Sequence, residues 1–145
     1  MKEQKISFHS VGKFSLDNEP AIEACINTLA KEESRKVGDI TFVFCDDSYL
    51  HKINLEFLDH DTYTDVVTFD YSVGNELVSE IYISTERVEE NAKKYRETFE
   101  NEIRRVMIHG VLHLCGYKDK LTEDKKIMRD KENHYLSLLA LALKG

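Results

Sequence analysis

The sequence has little of what marks secreted, membrane or disulfide-rich proteins. Three cysteines among 145 residues, Cys25, Cys45 and Cys115, are too few and too irregularly spaced for a disulfide framework or a zinc ribbon, so we expect buried thiols. No apolar run approaches the about 18 residues that a membrane span needs. The first ten residues have no apolar stretch behind their lysines and do not resemble a secretory signal. We therefore expect a cytoplasmic protein with no membrane partner.

Proline, tryptophan and glycine are also scarce. The single proline is Pro20, tryptophan is absent, and the six glycines are scattered rather than grouped into a phosphate-binding loop. The sequence shows no repeat and no flexible linker. A chain of 145 residues has room for one core. We therefore expect residues 1–145 to form a single domain.

Acidic residues outnumber basic ones, but the basic residues are unevenly distributed along the chain. The formal net charge of −7 opposes nucleic-acid binding by the chain as a whole. Residues 101–145 nevertheless carry nine Lys/Arg and six Asp/Glu, a net charge of +3, which leaves −10 on the first hundred residues. This distribution is compatible with a local polyanion-binding surface, but charge alone favours an ordinary solvated helix surface.

Hydrophobic patterning predicts four strands and four or five helices. The strands are expected over residues 5–8, 39–45, 65–71 and 77–84, with a polar loop over 58–65. The helices are expected from Pro20 to about 36, from 46–48 to about 57, from 84–85 to about 115 with a break near Thr98, and from Thr122 onward. The apolar positions of the last helix that fall on a helical period are Ile127, Tyr135, Leu138 and Ala142. Strands and helices that do not strictly alternate predict an α+β fold.

The most informative segment is IHGVLHLCGYKDK, residues 108–120. His109 and His113 lie four apart on a predicted helix, so their imidazoles share one face and can converge on a cation. Gly116 allows the chain to turn, and Asp119 can then reach the same metal. The spacing resembles the metzincin signature with aspartate as third ligand, and three protein ligands leave an open, catalytic position. The alternative is that both histidines are ordinary helix residues.

Neighbouring residues suggest further roles. On the same helix stripe, Glu102 is a candidate acceptor for a histidine ring N–H, and Arg105 is a candidate phosphate ligand. For either residue taken singly, an exposed charged position on the helix is the favoured interpretation. Gly110 stands where a zinc protease of the HExxH type has its general base, which argues against a peptidase.

Several blocks of sequence resemble the YbeY family of bacterial metal-dependent endoribonucleases. Residues 109–117, HGVLHLCGY, are similar to its signature HGxLHLxGYDH, and the segments at 54–57, 64–69 and 80–84 are similar to further blocks in the same order. The sequence departs from that pattern at Leu58, where the family has arginine, and at Lys118 and Asp119, where it has aspartate and histidine. The resemblance implies a zincin-like α+β fold with a small four-stranded mixed sheet and about five helices.

The resemblance also implies a function. It indicates a single metal-dependent hydrolase domain holding one zinc ion on His109, His113 and Asp119, and acting as a single-strand-specific endoribonuclease. The implied roles are maturation of the 16S rRNA 3′ end and ribosome quality control, with 16S rRNA precursor and the ribosome or a ribosomal protein as partners. No residue is identified as the general base. One alternative is a non-catalytic ribosome-associated factor with a structural metal, for which His134 would be the fourth ligand. The other alternative is a zincin-type peptidase.

Overall fold

A computed structural model describes residues 5–58 and 64–144 as one small sheet surrounded by helices. The elements, in chain order, are β1 (Ile6–Ser10), α1 (Glu19–Glu32), β2 (Lys36–Cys45), α2 (Asp47–Leu58), β3 (Val66–Asp70), β4 (Glu76–Ser84), α3 (Thr85–Tyr95), α4 (Phe99–Leu114) and α5 (Thr122–Lys144). Within these described residues, none of the helices has the length and apolar character needed to cross a membrane.

The four strands form a mixed sheet in the order β1-β2-β4-β3. β1, β2 and β4 are parallel, and β3 lies antiparallel to β4 at one edge. Residues Val73 and Glu76 bridge the short turn that joins β3 to β4, where Gly74 has a φ of 60°. The predicted α+β fold with a four-stranded mixed sheet and about five helices is therefore confirmed.

The two faces of the sheet are covered unequally. One face carries α1 and α4, and α5 packs across both of these helices. The other face carries α2, whose Leu50 is buried with Cys45 and Val67. Strand residues alternate between the two sides, as the period of two requires. The larger core contains, from β2 and β4, Ile40, Phe42, Phe44, Leu77, Ile81 and Ile83.

Three local features fix the extent and position of helix α4: a cap at its start, a turn after its end and a glycine within it. The side chain of Thr98 accepts a hydrogen bond from the Asn101 N–H and caps its start, which confirms the predicted break. Gly116, with a φ of 99°, turns the chain after its end. At Gly110 a Cβ atom would lie 3.2 Å from two carbons of Ile81. The absence of a side chain at Gly110 thus lets α4 lie close to β4.

Three sequence predictions need correction or limits. Helix α1 ends at Glu32 rather than near residue 36, because Ser34 adopts a left-handed φ of 60° and Lys36 already begins β2. The buried positions of α5 are Met128, Glu132, Tyr135 and Leu139, whereas Ile127 and Ala142 are exposed. Hydrophobic periodicity did not identify this buried face, because the face includes a charged residue, Glu132, that is buried through ion pairing. Residues 59–63 of the predicted polar loop lie outside the described residues.

The cysteines follow the expectation for buried thiols in two cases. Cys25 and Cys45 are buried and Cys115 is partly exposed, and all three are free. Burial raises the pKa of the Cys25 thiol to about 11 and that of Cys45 to about 12. Both therefore remain protonated at neutral pH and pack as small apolar side chains.

The packing of Gly110 predicts how stability changes when the glutamate of the HExxH proteases is introduced at this position. Gly110→Glu places an unpaired carboxylate against Ile81 in the core, and we expect it to lower the free energy of unfolding by more than about 3 kcal/mol. Urea denaturation followed by circular dichroism measures the loss. Lys126→Glu, at an exposed position of α5, is the control and should change stability by less than about 0.5 kcal/mol. A stable Gly110→Glu variant would contradict this account of α4 packing.

Candidate metal centre

Three of the predicted side chains meet at the end of α4. The Nε2 atoms of His109 and His113 are 2.9 Å apart. Asp119, in the loop after Gly116, places its Oδ2 atom 3.1 Å from the first of these nitrogens and 3.3 Å from the second. Among the described residues, these three form the one group of histidine, cysteine and carboxylate side chains able to hold a metal ion.

Hydrogen bonds at the far side of each ring set which nitrogen faces the cluster. The Nδ1 atom of His109 lies 2.7 Å from the Glu132 carboxylate, and that of His113 lies 2.8 Å from the main-chain carbonyl of Tyr117. Because Glu132 is ionised and the carbonyl can only accept, each Nδ1 carries the proton of the neutral ring. Each Nε2 therefore presents a lone pair to the cluster.

The resulting donor set fits a small divalent cation. Two imidazole lone pairs and a carboxylate oxygen within 3.3 Å of one another repel unless a positive charge lies between them. Tetrahedral ligands at zinc-like bond lengths of 2.0–2.1 Å are separated by about 3.3 Å. The observed separations of 2.9–3.3 Å are close to that value.

Glu132 is the charged support of this cluster. Burial raises the pKa of its carboxyl, but hydrogen bonds from His109 and Arg105 outweigh burial and hold that pKa below its usual value. Burial lowers the pKa of His109, but its hydrogen bond with Glu132 and the charges of Glu132 and Asp119 outweigh burial and raise it. The anionic field therefore favours a cation at the cluster, and a metal must compete with protons for the His109 ring.

Two predicted supporting roles were assigned to the wrong residues. Glu102 is buried, but the carboxylate that accepts the histidine N–H belongs to Glu132, 23 residues after His109 and on another helix. Arg105 is neither an exposed charge nor an open phosphate ligand. Its guanidinium donates to Glu132 over 2.9 Å and to Asn133 over 2.9 Å, and its side chain is 13% exposed.

The possible fourth ligand is also corrected. His134 lies on α5, and its Nε2 atom is 3.0 Å from the carboxylate of Glu32 on α1. It does not join the three clustered side chains. Within the part of the chain that the structure describes, no fourth histidine, cysteine or carboxylate closes the coordination sphere.

The burial of Glu132 predicts a stability effect that needs no metal. Glu132→Ala leaves Arg105 without its carboxylate partner, so we expect the free energy of unfolding of the metal-free protein to fall by about 3 kcal/mol. Chemical denaturation in the presence of a chelator measures it. Glu89→Ala, which breaks the exposed pair with Lys93, should cost less than about 0.5 kcal/mol. Equal losses in the two variants would show that the Glu132 pair is not buried in solution.

Comparison with known families supports the assignment made from the motif. A family model described as Endoribonuclease YbeY matches residues 5–140. A protein of Flavobacterium johnsoniae named Endoribonuclease YbeY is 49% identical over 133 residues, covering 92% of this chain and 96% of the relative. A protein of Christiangramia forsetii with the same name is 49% identical over 138 residues, covering 95% of this chain and 96% of the relative.

A solved structure agrees with these sequence matches. The solution structure of a Thermotoga maritima protein superposes with a TM-score of 0.65 at 26% sequence identity, covering 96% of this chain and 91% of the other. Full-length matches at nearly half identity, together with a family model that spans most of the sequence, identify the group to which the protein is related. The chain belongs to the YbeY family of endoribonucleases.

Proposed function

We propose that this chain is a zinc-dependent endoribonuclease specific for single-stranded RNA. Residues 1–145 would act as a single hydrolase domain, with His109, His113 and Asp119 as the metal ligands. The observation that carries the proposal is the convergence of two imidazole nitrogens and one carboxylate oxygen within 3.3 Å of one another, in a chain whose curated relatives are named endoribonucleases. Two imidazoles and one carboxylate favour zinc over the harder cations, which prefer oxygen ligands alone.

The chain's own residues support a catalytic rather than a structural metal. Zinc bound there would polarise a phosphodiester oxygen and lower the pKa of water toward about 7. Three side chains would bind it, Glu132 and the Tyr117 carbonyl would orient the two rings, and one tetrahedral position would stay open. Asp119 is 40% exposed, so the open side is accessible to a large substrate.

RNA would approach along the loop that carries Asp119. Lys118 and Lys120 flank this residue and are exposed. With Arg105 held by Glu132 and leucine at position 58, these two lysines are the cations nearest in sequence to the cluster that can meet phosphates. Contacts of this kind follow the backbone of a single strand and read its bases only loosely.

The biological role that we propose follows from family membership. It comprises maturation of the 16S rRNA 3′ end and ribosome quality control in the cytoplasm, with the ribosome or a ribosomal protein as a further partner. The peptidase alternative receives no support from the site. Gly110, the position of a protease's general base, packs against Ile81 in the core rather than facing the cluster.

Cleavage of a single-stranded RNA that carries the 16S 3′ precursor end tests the proposal. Wild type, chelator-stripped, zinc-restored and His113→Ala proteins are compared, and bound metal is measured in each. We expect cutting that chelation abolishes and zinc restores, and His113→Ala should lose both metal and cutting because a ligand is removed. His134→Ala, whose histidine pairs with Glu32 away from the cluster, is the control and should retain both.

Other outcomes of this experiment separate the alternatives. One zinc bound per chain with no cutting by any form would favour a non-catalytic ribosome-associated factor. Cutting by His113→Ala at the wild-type rate would refute the site.

The lysines beside Asp119 predict a change in salt dependence. If each contacts one phosphate, Lys118→Gln with Lys120→Gln should reduce the slope of log affinity against log salt by about 1.4, at about 0.7 per contact on a single strand. Fluorescence anisotropy with a labelled RNA in a salt series measures this slope.

Lys13→Gln is the matched control for these lysines. Lys13 is exposed beside Phe14, which packs on Phe99 at the start of α4. Phe99 precedes His109 by 10 positions and His113 by 14, which places that end of the helix about 15 Å from the nearer histidine and about 21 Å from the other. A slope that is unchanged in the double lysine variant, or lowered as much in the control, would exclude this loop as the RNA contact.

A further inference from the structure

A largely covered carboxylate, that of Glu33, lies beside the segments that support the metal centre. Glu33 follows the last residue of α1, and its side chain is only 13% exposed. One of its oxygens, Oε1, accepts a hydrogen bond of 2.7 Å from the Tyr117 hydroxyl. The other, Oε2, accepts from the Tyr135 hydroxyl at 2.8 Å and from the Lys131 ammonium at 3.0 Å.

Local structure fixes the direction in which Glu33 points. The N–H of Glu33 donates to the Leu29 carbonyl, and the left-handed Ser34 then turns the chain toward β2. Arg35, in the same turn, donates to the carbonyl of Cys115 over 3.3 Å. The end of α1 is thus joined to the end of α4 at two points, through Glu33 to Tyr117 and through Arg35 to Cys115.

The partners of Glu33 belong to the segments that hold both histidine rings. Tyr117 offers its hydroxyl to Glu33 and its main-chain carbonyl to the Nδ1–H of His113. Lys131 immediately precedes Glu132, the acceptor for the Nδ1–H of His109, and Tyr135 lies on the next turn of α5. The Lys131 ammonium also lies 5.5 Å from the centre of the Tyr117 ring. One carboxylate therefore connects the two acceptors that set the ring orientations.

We propose that Glu33 is a positioning residue for the metal centre, holding Tyr117 and the Glu132 turn of α5 in the register that points both Nε2 atoms at the metal. This inference rests on the proposed function, since it requires that the cluster binds a metal. Glu33 makes its described hydrogen bonds to Tyr117, Lys131 and Tyr135 rather than to the metal ligands, so it acts through the two acceptors. Groups that hydrogen-bond directly to metal ligands typically contribute tenfold or more to metal affinity, and Glu33 holds two such groups in place.

A purely structural junction would give a different result from a positioning residue. If Glu33 only joined α1 to α5, its loss would lower the stability of the fold and leave the zinc affinity of the folded protein unchanged. If it positions the acceptors, its loss must weaken zinc binding even under conditions in which the protein is fully folded. Zinc affinity measured on folded protein therefore separates the two roles.

The test compares Glu33→Gln, Tyr117→Phe and their combination in the full chain. Tyr117→Phe removes the same hydrogen bond but keeps the carbonyl that holds His113. Zinc affinity is measured by competition with a chromophoric chelator at neutral pH, and circular dichroism confirms folding. We expect the dissociation constant to rise about tenfold in each single variant. The double variant should lose less than the product of the two single losses, because both changes break one network.

Glu32→Gln is the matched control. Glu32 is the adjacent glutamate on α1, and it also contacts α5, through exposed His134. Although it lies near the same turn of α5 through His134 and Tyr135, it makes no described hydrogen bond to Tyr117, Lys131 or Glu132. Its removal should leave zinc affinity within twofold of wild type.

A second readout needs no metal. In zinc-free protein, nitrogen NMR of the histidine rings reports which nitrogen carries the proton. We expect wild type and Glu32→Gln to show His113 protonated on Nδ1 and protected from exchange. Glu33→Gln and Tyr117→Phe should show faster exchange at that proton, because the carbonyl that accepts it is no longer fixed.

The outcomes separate this inference from the proposed function. Wild-type zinc affinity in folded Glu33→Gln and Tyr117→Phe would overturn the positioning role, whether or not their stability falls. If Glu33→Gln fails to fold, Tyr117→Phe alone decides. A wild-type chain that binds no zinc would overturn both the proposed function and this inference, whereas a wild-type chain that binds zinc and cuts RNA leaves only Glu33 at issue.

Discussion

The candidate metal centre depends on the orientation of two imidazole rings, and that orientation depends on hydrogen bonds made on their far sides. An imidazole on a helix rotates about two side-chain bonds, so spacing alone does not point its Nε2 atom anywhere. Glu132 and the Tyr117 carbonyl remove this freedom by accepting the Nδ1 protons. The lone pairs then converge, and their mutual repulsion makes a cation the favoured occupant. Charge around the cluster, burial of Glu132 and the turn at Gly116 all serve that arrangement.

The packing of α4 makes those hydrogen bonds possible. Gly110 lets the helix approach Ile81, so one face of α4 is buried on the sheet while His109 and His113 stay at its edge, only partly covered. Helix α5 then lies along α4 and brings Glu132 to both His109 and Arg105. A carboxylate buried without those two partners would cost several kcal/mol, about 3 or more. The packing of α5 on α4 and the pairing of Glu132 with Arg105 and His109 therefore depend on each other.

Most local parts of the fold were accessible from the sequence, apart from the end of α1, whereas the buried face of α5 depends on distant packing. The strand patterns, the Thr98 cap and the Gly116 turn involve neighbours within a few residues, and the structure confirms them. The buried face of α5 was misassigned, because Ile127 is exposed while Glu132 is buried. Hydrophobic periodicity treats glutamate as a surface residue, and only its contacts with Arg105 and His109 reverse that expectation.

The sequence by itself determined which side chains can come together as candidate ligands. His109 and His113 share a helix face through their spacing. Asp119 follows His113 by six positions, with the turn at Gly116 between them, so the approach of all three depends on local backbone geometry. The tertiary structure decided what holds them. Glu132 lies 23 residues from His109, and Glu33 lies 84 residues from Tyr117. Contacts over such separations depend on how α1, α4 and α5 pack, and no spacing rule in a single sequence specifies that packing.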